Sequence, residues 1–126
     1  MASEKKLEAY KFGLYAEEKA AEEYIKQGYT ILERRWKLGK TEIDLIAQKE
    51  DIVVLIEVKA RSGHDETALS SVTHDKRKRM VRAADYFIKR LEGQYAYRFD
   101  IVTCSGDMQK NQIEIFEDAF IAADLF

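Results

Sequence analysis

The stretch TEIDLIAQKEDIVVLIEVKAR, Thr41 to Arg61, decides the fold. It reads as two strands joined by the polar turn Lys49-Glu50-Asp51. The second strand runs unbroken through Ile52, Val53, Val54, Leu55 and Ile56. An aliphatic, largely β-branched run of this kind belongs to a strand covered on both faces. It then continues into Glu57, Val58 and Lys59. Side chains repeat every two residues along a strand, so Glu57 and Lys59 point to one face. In the first strand Asp44 is lodged between Ile43 and Leu45, with Glu42 two residues earlier on the same side. Two carboxylates and an ammonium group thus converge on an apolar hairpin, where unpaired desolvated charge is costly.

Two readings of that convergence stand. Asp44, Glu57 and Lys59 can form a buried salt-bridge network. Alternatively, Asp44 and Glu57 are ligands for a divalent cation. Hard cations take oxygen donors, and Mg2+ is commonly held by one or two carboxylates plus water and substrate phosphate. The Val58 carbonyl would add a third oxygen, and Lys59 would orient a water and offset developing phosphate charge.

Composition sets the frame. A chain of 126 residues with 46% hydrophobic content suits one globular domain with a core of its own. One cysteine, Cys104, excludes an internal disulfide framework and fits a reducing compartment. No apolar run is long enough to span a membrane, and the charged start MASEKKLEAYK lacks a signal-peptide core, so a cytoplasmic location is expected. The net charge of -2 does not by itself suggest nucleic acid, but Lys76, Arg77, Lys78, Arg79 and Arg82 form a basic cluster.

Outward from the hairpin, residues 4–27 carry a helical pattern, with Leu7, Tyr10, Leu14, Ala21 and Tyr24 in register and Gly28 as a left-handed stop. Gly13 weakens the pattern, so residues 1–12 are expected to form a looser arm. Glu17 falls in the apolar register and is the acid expected to face inward, whereas Glu18 lies about one hundred degrees round the helix. A stripe-edge position with the carboxylate in water is the alternative for Glu17. Residues 29–37 form a strand, Gly39-Lys40 a turn, and residues 61–71 a long polar loop. Thr73 is an N-cap for a helix running to Glu92, buried along Met80, Ala84, Phe87, Ile88 and Leu91. The same stripe places Lys76 inward, where it either contacts phosphate or snorkels from the first turn, while Arg77, Lys78, Arg79 and Arg82 fan outward. Such a run is either a solvated face or a track for a phosphate backbone.

Residues 95–104 form a further strand, parallel to the Ile52 strand by a right-handed crossover. Arg98 and Asp100 share a face there and pair. A turn at Ser105-Gly106-Asp107 leads to a short edge strand over residues 112–116, and residues 117–126 end in a helical turn. His64 and His74 lack zinc spacing with Cys104 and are expected in solvent. The result is an α/β domain, a mixed β-sheet flanked by helices in the order α-β-β-β-α-β-β, spanning residues 1–126.

Asp44 followed by Glu57-Val58-Lys59 resembles the signature of the PD-(D/E)XK nuclease superfamily. More closely, the chain resembles the YraN-like family of predicted endonucleases, similar to archaeal Holliday-junction resolvases. Gly13-Leu14-Tyr15-Ala16-Glu17-Glu18, Gly28 to Arg34, Glu42 to Ile46, Ile56 to Arg61, Val72-Thr73 with Lys76, and Arg98-Phe99-Asp100 carry the resemblance. It implies a restriction-endonuclease-like fold and a Mg2+ or Mn2+ site at Asp44 and Glu57. Lys59 becomes the catalytic lysine and Glu17 the helical acid. DNA, branched or structured, is the implied substrate, and a homodimer the implied assembly, because related resolvases work through two active sites. The runner-up is a nuclease-like module that grips nucleic acid without cutting. Ala16 replaces a usual glycine, Lys40-Thr41 stands where glycine is common, Ile43 replaces the superfamily's proline, and Arg35 stands where asparagine is frequent.

Overall fold

The structure, a computed structural model, describes residues 2–61 and 72–121. The loop after Arg61, with His64, and the expected helical turn beyond residue 121 lie outside the described residues. The elements are α1 (Ala2–Lys26), β1 (Thr30–Leu38), β2 (Thr41–Lys49), β3 (Ile52–Arg61), α2 (His74–Ile88), β4 (Ala96–Gly106) and β5 (Asn111–Phe120). This is the expected α-β-β-β-α-β-β order. The five strands form one sheet in the spatial order β1-β2-β3-β4-β5. Its pairs are antiparallel except β3 with β4, which run parallel from Ile52 opposite Ala96 to Arg61 opposite Ser105.

Each face of the sheet carries one helix. The α1 side packs Ala20, Ala21 and Tyr24 on Leu45, Ala47, Val54, Ile56 and Val102. On the other side, Met80, Ala83, Ala84 and Phe87 of α2 meet Ile43, Ile46, Val53, Leu55, Phe99 and Ile101. β3 supplies both clusters alternately, which is why its sequence is apolar at successive positions.

Several expectations are corrected. α1 is continuous through Gly13, yet the first half of its apolar register is not core: Leu7 is 52% and Tyr10 59% exposed. The end of β4 and the turn after it flank that half, at Gly106 to Gln109, without covering Leu7 or Tyr10. α2 ends at Ile88 rather than Glu92, because Arg90 and Leu91 donate to the carbonyls three residues back. That tightens the last turn before Gly93, at φ 107. Leu91 still packs on the core. β5 continues through residues 117–120, where a helical turn was expected, and Phe120 stacks on Phe99 at 4.6 Å.

Asp100, fully buried, is satisfied from three directions. The Tyr24 hydroxyl donates to Oδ2 at 2.6 Å, the Arg98 guanidinium grips both oxygens at 2.8 and 2.9 Å, and the Asp118 amide donates at 3.0 Å. The last contact accompanies a register irregularity between Phe99 and Ile101 and a left-handed Asp118, at φ 52. Burial, then Asp100, raises the Tyr24 hydroxyl pKa well above its usual value. This network ties α1, β4 and β5 together. Tyr24→Phe removes one hydrogen bond to a buried charge and should cost about 2 kcal/mol. Urea unfolding reads this as a lower midpoint with an unchanged slope; an unchanged midpoint would refute the structural role assigned here.

Candidate functional site

β2 and β3 pair from Lys49 opposite Ile52 as far as Leu45 opposite Ile56, where the ladder ends. Beyond that point the Val58 amide donates to the Asp44 side chain, Oδ2, at 2.8 Å. A carboxylate has replaced a strand carbonyl as the acceptor, and the two strands fork around it. β3 stays paired to β4 through this region, with Glu57 opposite Ile101 and Lys59 opposite Thr103. The prong bearing Glu57 is therefore rigid.

Side-chain alternation also fails beside the fork. Leu45 packs with the α1 cluster and Ile43 with the α2 cluster, although they stand two residues apart. The neighbouring strand matches this break. Arg35 has a left-handed backbone, φ 51. Arg34 and Arg35 consequently both reach α1, donating to Glu18 at 2.7 Å and to Glu17 at 2.9 Å. Trp36 turns the other way and meets Phe87 edge-on at 5.2 Å. In a regular strand, successive side chains could not share a face.

Glu57 is buried, its side chain 5% exposed. Its Oε1 meets the Lys59 ammonium at 3.3 Å and also accepts from the Lys76 ammonium. Lys76 lies in the first turn of α2, fixed by the Thr73 cap, whose hydroxyl accepts from the Lys76 amide at 3.2 Å. Glu57 and Lys59 share a face as expected, and Lys76 points inward. The second oxygen, Oε2, is buried without a hydrogen-bond partner. An unmatched carboxylate oxygen of this kind suits a cation, since leaving it bare costs desolvation energy with no return.

Asp44 feels this environment directly. Its carboxyl is pushed up to about 7, by burial first and by the Glu57 charge second; the Val58 amide opposes the rise, and the Glu17 charge adds to it. Of the two helical acids Glu17 is the one whose charge bears on Asp44, and it is 23% exposed against 57% for Glu18. Even so, Glu17 is turned to Arg35. Among the described residues, no three His, Cys, Asp or Glu side chains gather as metal donors. The fork therefore offers Asp44 and Glu57, with Glu17 close by. A cavity of about 270 Å3 adjoins it, lined by Tyr10, Gly13, Leu14, Glu17, Arg35, Glu42 and Asp44.

The basic cluster divides. Arg79 and Arg82 are exposed and Lys78 half-exposed on α2. Arg77 does not fan outward: its Nε donates to the Val72 carbonyl at 2.9 Å, and its guanidinium lies 5.3 Å from the centre of the Phe120 ring. Position 77 borders the end of β5, whose length the sequence understated. The Arg34–Glu18 and Arg35–Glu17 pairs were not foreseen; the doublets Glu17-Glu18 and Arg34-Arg35 were the available signal.

Fold and site define an α/β domain organised round a forked strand pair, one carboxylate on each prong and lysines at one face. Comparison with known proteins agrees on the relationship: the chain belongs to the family described as "Uncharacterised protein family UPF0102", whose model matches residues 16–104. This is the YraN-like family whose motifs are quoted above. UPF0102 proteins of Flavobacterium psychrophilum and Phocaeicola vulgatus are 38% and 36% identical to it, each over 86% of this chain and over 92% and 91% of their own lengths. A third, from Chloroherpeton thalassium, is 39% identical over 91% of this chain and 92% of its own. No described helix is long and apolar enough to cross a membrane.

The raised Asp44 pKa has a defined sign. The folded state holds the proton more tightly than the unfolded chain, whose carboxyl titrates near 4. The stabilisation from that proton is full below about pH 4 and is lost as pH rises through about 7. Asn cannot ionise, yet it still accepts from the Val58 amide. Metal-free Asp44→Asn should therefore be more stable than wild type at pH 8 by about 1 kcal/mol or more, an advantage that shrinks toward pH 5. Chemical denaturation across that range tests the sign. Equal stability at pH 8 would mean that Asp44 carries no such burden.

Proposed function

We propose that this protein is a metal-dependent endonuclease that hydrolyses phosphodiester bonds in DNA, branched or structured DNA in particular. The observation that carries the reading is the bare, buried Oε2 of Glu57 beside Asp44, a carboxyl disfavoured as an anion by burial and by Glu57. Lys76 pairs with Glu57 and partly offsets the Asp44 charge, yet Oε2 of Glu57 stays unmatched and the Asp44 carboxyl stays raised; a cation held between the two acids would relieve both. Asp44, Glu57 and the Val58 carbonyl would hold Mg2+ or Mn2+, with Glu17 contributing directly or through water. When bound, the ion would polarise a phosphate oxygen and make water a competent nucleophile at neutral pH.

The chain's own groups supply the rest. Lys59, its side chain 17% exposed, presents an ammonium on the Glu57 face that can orient the attacking water and offset negative charge at the phosphorus. Lys76 grips Oε1 of Glu57 and so leaves Oε2 for the metal. Lys78, Arg79 and Arg82 extend positive charge along α2, where a nucleic-acid backbone can follow it. Arg77 is not part of that track, being engaged inward. DNA is thus the proposed partner, and a homodimer the proposed assembly for cutting two strands.

The contact between Lys76 and Glu57 favours one second reading: a DNA-binding module without cleavage, whose lysines permanently neutralise the acid a metal would need. Cleavage separates the two. Purified protein should cut four-way or flap DNA with Mg2+ or Mn2+ and lose cutting in EDTA. Asp44→Ala should lower the rate more than about 100-fold, several kcal/mol of barrier, while keeping its circular dichroism. Mg2+ should raise the wild-type melting temperature and leave that of Asp44→Ala in place. Equal cutting by the mutant would sink the assignment. Salt-sensitive binding with no cleavage under any divalent metal would establish the second reading.

A further inference from the structure

Arg35 shares a left-handed backbone within a strand with Asp118 but stands apart by place, beside Asp44. It holds a left-handed backbone, φ 51, inside a strand. Side chains with a Cβ rarely adopt that region, and such strain persists where surrounding structure enforces it and function uses it. Here its effect is visible: the break in alternation swings a second arginine onto the α1 side of the fork. Arg34, without positive φ, already provides an ion pair to α1, so the kink is not needed merely to dock the helix.

The cavity beside Asp44 is lined by Glu17, Glu42 and Asp44, and Arg35 is the one base among the described residues that line it. The cations on the other side, Lys59 and Lys76, are held by Glu57. A phosphate entering the cavity beside Asp44 would therefore meet acids, except where the Arg35 guanidinium stands. Arg35 is 40% exposed, and its Nε already donates to one carboxylate, Glu17. A planar guanidinium that binds a carboxylate is equally shaped for a phosphate. We infer that Arg35 is the residue that receives a DNA phosphate on the α1 side of the Asp44–Glu57 fork, exchanging Glu17 for it. This rests on the nuclease reading above and adds to it a substrate contact that neither the helical acid nor the lysines provide.

The test measures binding, not cutting. In an Asp44→Asn background with EDTA present, fluorescence anisotropy gives the affinity for a labelled four-way junction across a salt series. Adding Arg35→Asn, which tolerates positive φ, should weaken binding about five- to tenfold and make the salt dependence shallower by about one unit of slope. Its melting temperature should match or exceed the parent's. Arg35→Lys keeps the charge but not the fork; it should retain the slope while losing about threefold in affinity, and it decides the matter if the Asn variant does not fold. Unchanged affinity and slope in a parent that binds tightly would overturn the role of Arg35 and leave the nuclease reading intact. A parent that does not bind DNA at all would remove both.

Discussion

The hydrogen bond from the Val58 amide to the Asp44 side chain is the interaction on which the site depends. A strand amide in a sheet interior must find an acceptor, and ordinarily a neighbouring carbonyl provides it. Here a carboxylate provides it instead, so the hairpin is free to open beyond Leu45 and Ile56. The ladder thus ends without leaving the amide unsatisfied. The bond also fixes one Asp44 oxygen in place. The parallel β3–β4 ladder holds the opposite wall.

Two buried acids of this domain illustrate opposite uses of charge. Asp100 is surrounded by a phenol, a guanidinium and an amide, and both of its oxygens are matched. It joins a helix to two strands and is complete as it stands. Glu57 has two ammonium groups on one oxygen and none on the other. A half-satisfied buried carboxylate is poor architecture by itself. On the proposed reading, Oε2 of Glu57 is kept for a cation.

Much of this was legible in the sequence, for identifiable reasons. The unbroken run from Ile52 to Ile56 marked a strand covered on both sides, and the two-residue period put Glu57 and Lys59 together. The α2 register brought Lys76 inward because a capped, amphipathic helix has only one face to bury. What escaped were departures from period. A left-handed residue in mid-strand leaves no trace in hydrophobic pattern, so the α1-facing pair of arginines was invisible. The length of β5 was hidden because Glu117 and Asp118 read as a polar end, whereas Asp118 is kept in the strand by its amide contact with Asp100.

Beside Tyr24, the buried face of α1 is built of Ala16, Ala20 and Ala21, all fully buried. Methyl groups are the thinnest side chains that can still fill such a seam, so they act as shims between the helix and the floor of the fork. Close-packed interiors yield little. A bulkier residue at any of these positions would lift the helix and carry Glu17 away with it. The reach of a helical acid toward Asp44 is thus gauged by three small side chains that carry no charge of their own.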